Sequence, residues 1–471
     1  MPRFHPVAMP RYHPDGRLLA LIGLLLIAPV GAAQPPSAPA SGGAIAPPAP
    51  TAGNTVFTLA DAVALALRAN PGLAAASEDV SAAHSGLDAS RALVNPDITF
   101  APALTPGGSE QEFLFRQPLE VNGTRAARTK VAAATLDQAQ ANMAVARQDL
   151  IARVEESYYR LWGAQQQERI AGELLTITQQ LDSAAKEQVT AGVRPGVDRL
   201  QTRFAVDRAS QEKAVAVGNT QAALARLNDL LNRAPDVDTG PLEAPALQSL
   251  PGANALQLAM ARRPELVSGA AVEQRIKDQE QLLRADGRPD LAPQFRVGDV
   301  VRGIRDYGVG LSITLPLVDY GSRGNSIRQL QKSAAAQEDR LTSLRSAIQA
   351  DVGAAEAKVR ASDAVLQSFR GDVLLNSDQL LSAKRFGFTA GKTSIVDLFQ
   401  AEQTYRAVQV DYINALVNAA IAHTTLLQAA GVIGAPGPWT ASRMAPGEGP
   451  PTQVKSRLPT GKSTPPAAGK E

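Results

Sequence analysis

The sequence predicts a mainly α-helical protein with a small β part. Long coiled-coil-like helical hairpins form an α-barrel, and four strands per chain are contributed to a transmembrane β-barrel that several chains share. Three observations predict this. The 471-residue chain is a tandem duplication. Each copy holds a very long proline-free stretch, Thr124 to Thr190 and Ser322 to Thr389. Each copy also holds two short runs that alternate apolar and polar residues, the period of a strand with unlike faces.

The duplication is legible as ordered matches. Ala60-Asp61-Ala62-Val63-Ala64-Leu65-Ala66-Leu67-Arg68-Ala69-Asn70-Pro71 is echoed by Ala253-Asn254-Ala255-Leu256-Gln257-Leu258-Ala259-Met260-Ala261-Arg262-Arg263-Pro264. Arg91 to Asp97 answers Arg284 to Asp290, and Gln117-Pro118-Leu119 answers Leu315-Pro316-Leu317. Ala191-Gly192-Val193 with Asp198 answers Ala390-Gly391-Lys392 with Asp397. The repeats are expected over residues 55–240 and 241–434.

At the N-terminus, Arg3, Arg11 and Arg17 precede an apolar run from Leu18 to Val30 that ends in Gly31-Ala32-Ala33. That tripartite pattern predicts a signal peptide over residues 1–33; the run is short for a transmembrane helix, which needs about 20 apolar residues. Residues 34–54, rich in Pro, Ala and Gly, are expected to be a flexible linker, and residues 435–471 a disordered tail. With no second hydrophobic span, membrane insertion is expected to use strands.

Within each repeat a first helix is expected over Pro71 to Leu93 and Pro264 to Ala285. The strands follow at Asp97 to Leu104 and Gln111 to Leu119, joined by Thr105-Pro106-Gly107-Gly108, and at Leu291 to Val300 and Tyr307 to Leu317. In the last run Tyr307, Val309, Leu311, Ile313 and Leu315 form one face, the candidate lipid-facing strand, against Gly308, Gly310, Ser312 and Thr314. Such lengths suit tilted membrane strands; the alternation alone equally suits a half-buried soluble hairpin. Each long helix, if continuous, reaches about 100 Å at 1.5 Å per residue. Heptad spacing at Val352, Val359, Leu366, Val373 and Leu380, and on the return at Leu398, Tyr405, Tyr412, Ala419 and Leu426, predicts coiled-coil packing. Gly192 and Gly391 stand at the reversals, where glycine ends a helix. Four strands cannot close a barrel, and lipid does not tolerate an open edge; sharing between chains satisfies both.

Composition excludes several functions. Basic (47) and acidic (45) residues nearly cancel, which argues against a large nucleic-acid footprint, since that needs a concentrated basic surface. With no cysteine, disulfides, thiol catalysis and Cys-ligated zinc are excluded. The four histidines (His5, His13, His84, His423) are scattered. No phosphate loop, nucleophile elbow or paired-histidine motif occurs, so no enzyme activity, cofactor or metal site is expected.

The Ala60–Pro71 segment, the Gln117-Pro118-Leu119-Glu120 junction, the paired Ala-Gly turns and the duplication resemble the TolC family of outer-membrane efflux proteins over about Phe57 to Gly431. The run Glu120-Val121-Asn122-Gly123-Thr124-Arg125-Ala126-Ala127-Arg128 is similar to the junction of its heavy-metal, CzcC-like branch, with Thr124 where Lys is common. The resemblance implies a homotrimer with a twelve-strand barrel in outer-membrane lipid and a helical tunnel through the periplasm. It also implies a periplasmic adaptor and an inner-membrane pump of the RND type, with metal cations or small toxic molecules as cargo.

The family narrows its inner end with aspartate rings. Asp397 matches one ring, Asp198 is its repeat partner, and the second ring position is Gln400. Where some members lock the tip with Tyr and Arg, this chain has Phe388 and Thr393. Helix-end stabilisation by an acidic first turn is the competing reading of both aspartates. Arg194, Arg199 and Lys392 beside the tips are read as solvated charges, and Tyr158, Tyr159 and Trp162 as interhelical packing. An alternative for the whole chain is a periplasmic adaptor or coiled-coil scaffold, against which the duplicated strand pairs count.

Overall fold

The computed structural model describes residues 56–101, 112–192, 195–298, 306–316, 319–390 and 392–434. The expected signal peptide, linker and tail, the first strand turn, Arg194 and Gly391 lie outside these residues. Two copies of one plan follow each other. The first comprises α1 (Leu59–Ala69), α2 (Pro71–Arg91), β1 (Asp97–Ala101), β2 (Glu112–Arg116), α3 (Thr124–Thr190) and α4 (Gly196–Leu230). The second comprises α5 (Ala255–Arg262), α6 (Pro264–Ala285), β3 (Asp290–Gly298), β4 (Asp306–Thr314), α7 (Ser322–Ser368), α8 (Leu374–Thr389) and α9 (Ile395–Ala429).

Local chemistry sets the boundaries. Thr58 and Asp61 form a capping box at the start of α1. Asn70 caps α2, its side chain accepting from the N–H groups of Gly72 and Leu73. Pro71 and Pro264 occupy the first turns of α2 and α6, where a missing N–H costs nothing. The first of these stops at Arg91 rather than Leu93, because Ala92 already has extended backbone (ψ 150°) and cannot continue the helix.

The four strands form one antiparallel sheet in the order β1-β2-β3-β4, so the two expected hairpins are joined through β2 and β3. As a regular strand β2 ends at Arg116, short of the expected Leu119, although pairing continues past it through Gln117 N–H to the Pro293 carbonyl and Leu119 N–H to the Leu291 carbonyl; the expected last residues of the first strand, 102–104, lie outside the described residues.

α3 is unbroken for 67 residues, about 100 Å. Its counterpart is interrupted by a π turn at Phe369–Val373. Val352, Val359 and Leu366 are buried on the expected heptad, but Val373 and Leu380 are exposed, and Leu381 is buried in place of Leu380. The π turn absorbs one extra residue, so the seam moves one position along the sequence. On α9, Leu398, Ala419 and Leu426 are buried and Tyr405 and Tyr412 half-buried.

The largest core cluster sits midway along α3. Tyr158, Tyr159, Leu161 and Trp162 meet α1, the end of α4 and α9 there. Interhelical packing is therefore what this aromatic group does. Gly163 permits the approach of α9, since a Cβ there would meet the Val417 side chain at 2.9 Å.

Candidate functional site

The sheet register sorts the strand residues onto two faces. Directly paired residues share a face, so Ile98–Phe115–Phe295–Val309 form one row and Phe100–Phe113–Val297–Tyr307 the next. Pro293–Leu311 and Leu291–Ile313 continue the same face, and Leu315 follows at the same parity. This face is apolar across all four strands, with Val309 85% and Tyr307 74% exposed. The opposite face carries Asp97–Arg116–Gln294–Gly310, Thr99–Leu114–Arg296–Gly308 and Ala292–Ser312. Its charges pair across strands: Arg116 donates to Asp97 at 2.7 Å, and Arg296 lies 3.8 Å from Glu112. A soluble half-buried sheet would cover its apolar face with its own helices; among the described residues no helix covers it.

The sheet passes into helices through left-handed backbone. Glu120 (φ 51°) and Gly123 (φ 89°) make the first turn, and Tyr320 (φ 47°) and Gly321 (φ 84°) the second. Buried Glu120 takes a two-pronged contact from Arg128, at 2.6 and 3.2 Å. The same guanidinium donates to the carbonyls of Ser90 and Ala92 at the end of α2. The Glu120-to-Arg128 motif is thus a clamp holding α2, the strand exit and α3 together. Thr124, in the place where Lys is common, donates to Asp286 at 3.2 Å. In the second half Asp319 plays a local part instead, accepting from the N–H groups of Gly321 and Arg323.

Midway along the helices, Tyr158 donates to the Phe57 carbonyl at 2.7 Å and accepts from Glu243 N–H at 2.9 Å. Glu155 is buried beside it and accepts from Thr424 at 2.6 Å and Gln248 at 3.3 Å. Burial raises the Glu155 pKa from its ordinary 4.5, with those hydrogen bonds pulling the other way. Burial, helped by Glu155, pushes the Tyr159 phenol up to about 12. His423 bridges the Gln248 carbonyl (2.9 Å) and the Asp363 carboxylate (3.1 Å). These contacts bind the segment between the repeats to α3, α7 and α9. Glu155 lies on the helix face of Tyr158, Tyr159 and Trp162, so an acid on an aromatic stripe was the signal that sequence reading passed over.

At the helix reversals, Gly192 (φ 71°) ends the first long helix, its N–H reaching the Val189 carbonyl. Asp198 stands in the first turn of α4, whose N-cap, Pro195, offers no side-chain acceptor. Ser394 and Asp397 close the start of α9 as a capping pair. The Asp397 N–H donates to Ser394 Oγ at 3.1 Å, and that hydroxyl donates to the Asp397 carboxylate at 2.8 Å. The Ser394 hydrogen bond and nearby Lys384 hold the Asp397 carboxyl below its ordinary value. Gln400 is exposed one turn on. Phe388, like Tyr405, packs against buried Leu381, Leu398 and Ala401, while Thr393 N–H donates to the Gly387 carbonyl at 3.1 Å. Between Phe388 and the core, Arg385 grips buried Glu402 at 2.6 Å, and Arg406 reaches across to the Ile170 carbonyl of α3. No group of three His, Cys, Asp or Glu residues able to hold a metal occurs among the described residues.

A bare apolar sheet face continuous with 100 Å helices defines a membrane-channel component. The family model described as outer membrane efflux protein matches residues 62–233 and 255–432, one match in each repeat, and the chain belongs to that family. It is 27% identical over 373 residues to the cobalt-zinc-cadmium resistance protein CzcC of Cupriavidus metallidurans, covering 79% of this chain and 89% of the relative. It is 26% identical over 308 residues to the nickel-cobalt-cadmium resistance protein NccC of Alcaligenes xylosoxydans xylosoxydans, covering 62% and 68%. Among solved structures, CusC superposes with a TM-score of 0.68 at 15% identity, over 79% of this chain and 92% of that one. The protein is an outer-membrane efflux channel subunit of the TolC type, an exit duct with a periplasmic helical extension.

Proposed function

We infer that three copies share one twelve-strand barrel, and that the duct passively exports metal cations handed on by a periplasmic adaptor and an RND-type inner-membrane pump. One observation carries the assembly: a four-stranded sheet with an apolar outer face and, among the described residues, two unpaired edges, β1 and β4. An isolated sheet would leave backbone groups unsatisfied in lipid, at several kcal/mol each. Pairing β4 of one copy with β1 of the next removes every edge and turns Tyr307, Val309, Leu311, Ile313 and Leu315 to lipid. The metal reading is supported by the names of CzcC and NccC. Small toxic molecules are the other cargo that such a duct suits. Crosslinking of detergent-purified protein should give a trimer, and loss of the gene should lower tolerance to cobalt, zinc or cadmium. A stable bilayer-inserted monomer would contradict the assembly. Unchanged metal tolerance alongside raised sensitivity to organic toxicants would reassign the cargo.

A further inference from the structure

Between the helix reversals and the aromatic core of α3, a cavity of about 510 Å³ opens among α3, α4 and α9. Small-molecule clefts are of this size, about 300–1,000 Å³. Ile170, Leu174 and Ile177 of α3, Ala209 of α4, and Phe399 and Val410 of α9 make much of its wall apolar. One buried cation interrupts that wall. The Arg406 side chain is only 9% exposed, and two guanidinium groups there share one carboxylate. Arg385 takes Glu402 Oε1 with both Nε and Nη2, at 2.9 and 2.6 Å. Arg406 is left with the Ile170 carbonyl, which it reaches through Nη1 at 3.0 Å. Its Nη2 stands 3.9 Å from Glu402 Oε2, beyond hydrogen-bonding distance. Its Nε is buried with no hydrogen-bond partner among the described residues. Other charges on the wall are matched or wet: Arg208 pairs with Glu212, and Asp411 is exposed. Burial lowers the Arg406 pKa, and a buried guanidinium with unmade hydrogen bonds is costly unless something supplies them.

Nε–H and Nη2–H lie side by side in the guanidinium plane, the fork that matches the two oxygens of a carboxylate. We propose that the cavity binds a small amphipathic carboxylate, its apolar body against Ile170, Leu174 and Phe399 and its two oxygens on the free edge of Arg406. Because Nε is covered, the guanidinium turns slightly to present both groups, and a single hydrogen bond at Nη1 lets it do so. Such an occupant touches both helical hairpins at once, α3 and α4 of the first and α9 of the second, and ties them together near the reversals. The site does not rest on the metal reading of the cargo.

The probe is decanoate carrying a photoreactive diazirine on its alkyl chain. Detergent-purified protein is labelled by light and digested, and the labelled peptides are identified by mass spectrometry. Label should concentrate in residues 167–181, 205–212 and 399–411, the segments that line the cavity, and plain decanoate should displace it there. Decanamide, with the same body and no charge, should compete about tenfold more weakly, the factor that a charge-assisted hydrogen bond carries. Arg406→Lys keeps the charge, loses the fork and should reduce labelling by a similar factor. Ala205→Trp should fill the cavity from α4 and block labelling with Arg406 untouched. If Arg406→Lys does not assemble, Ala205→Trp decides in its place, and the comparison of decanoate with decanamide needs no variant. The absence of displaceable label in the three segments, as when a neighbouring copy covers the cavity, would overturn the proposal. So would equal competition by decanamide, unchanged labelling in an assembled Arg406→Lys, or full labelling in Ala205→Trp.

Discussion

Two carboxylates, each made legible by its immediate partners, show what single residues contribute. Glu155 is held among aromatic rings by Thr424 and Gln248, and burial raises its pKa above 4.5. A raised acid favours the folded state fully below its unfolded value, and that contribution is lost as pH rises through the folded value. The wild-type melting temperature should therefore fall as pH rises from about 4.5 toward neutrality by this term. Glu155→Gln, which can still accept both hydrogen bonds, should flatten the profile and match or exceed wild type at neutral pH. A variant less stable at neutral pH with an unchanged slope would mean that the charge itself is required. Asp397 is the opposite case, an exposed carboxyl in a capping pair. Ser394→Ala should cost about 0.5–2 kcal/mol, the usual loss of an N-cap. If Asp397 also lines the channel mouth, Asp397→Ala should weaken block of single-channel current by divalent cations. Intact block with lowered stability would leave Asp397 as a helix cap only.

Elements respond to register more than to composition. In β4 the two faces should tolerate charge differently. Leu311→Arg or Ile313→Arg should impair assembly, at about 2–4 kcal/mol per charge near the bilayer midplane. Ser312→Arg or Thr314→Arg should assemble and change conductance. Equal effects on both faces would show that neither meets lipid. In the second long helix, the π turn holds one residue beyond the heptad count, and Gly371 within it is exposed with no neighbour near its α-carbon. Deleting Gly371 should leave Leu381 in the seam and the melting temperature unchanged or higher. Deleting Gly353, equally open but in unbulged α7, should turn Ile348 and Val352 out of line with Val359 and Leu366 and destabilise the hairpin. Similar melting losses for the two deletions would mean that the π turn does not reset the register.

At the scale of the molecule, the helices and the sheet are stabilised by different means. Among the described residues no helix is long and apolar enough to cross a membrane, while the sheet turns its apolar residues outward. The helices bury mainly alanine, leucine and valine along narrow seams, and polar side chains such as Tyr158, Glu155 and His423 tie the segment between repeats to those seams. Helices meet the strands at four short junctions, α2–β1, β2–α3, α6–β3 and β4–α7, and the Glu120–Arg128 clamp stiffens the second of them and ties it to the end of α2. A duct that must hold its bore over about 100 Å benefits from such joints, because a flexible turn would let helices splay independently of the barrel.

The sequence by itself determined the duplication, the element order, the start and end of α3 and the apolar face of β4. These follow from periodicity, proline and glycine placement, which act over a few neighbouring residues. Gly192 and Asp397 both stand close to helix ends, where such local patterns act. Tertiary structure decided the rest. The shift of the buried seam from Leu380 to Leu381 depends on how the second hairpin packs, and a π turn leaves no mark in heptad counting. The union of two hairpins into one sheet, the clamp from Arg128 to Ser90, Ala92 and Glu120, and the burial of Glu155 each join residues distant in the chain or set by their surroundings. Local patterns specify which face of an element is apolar; only the packed chain specifies what each face meets.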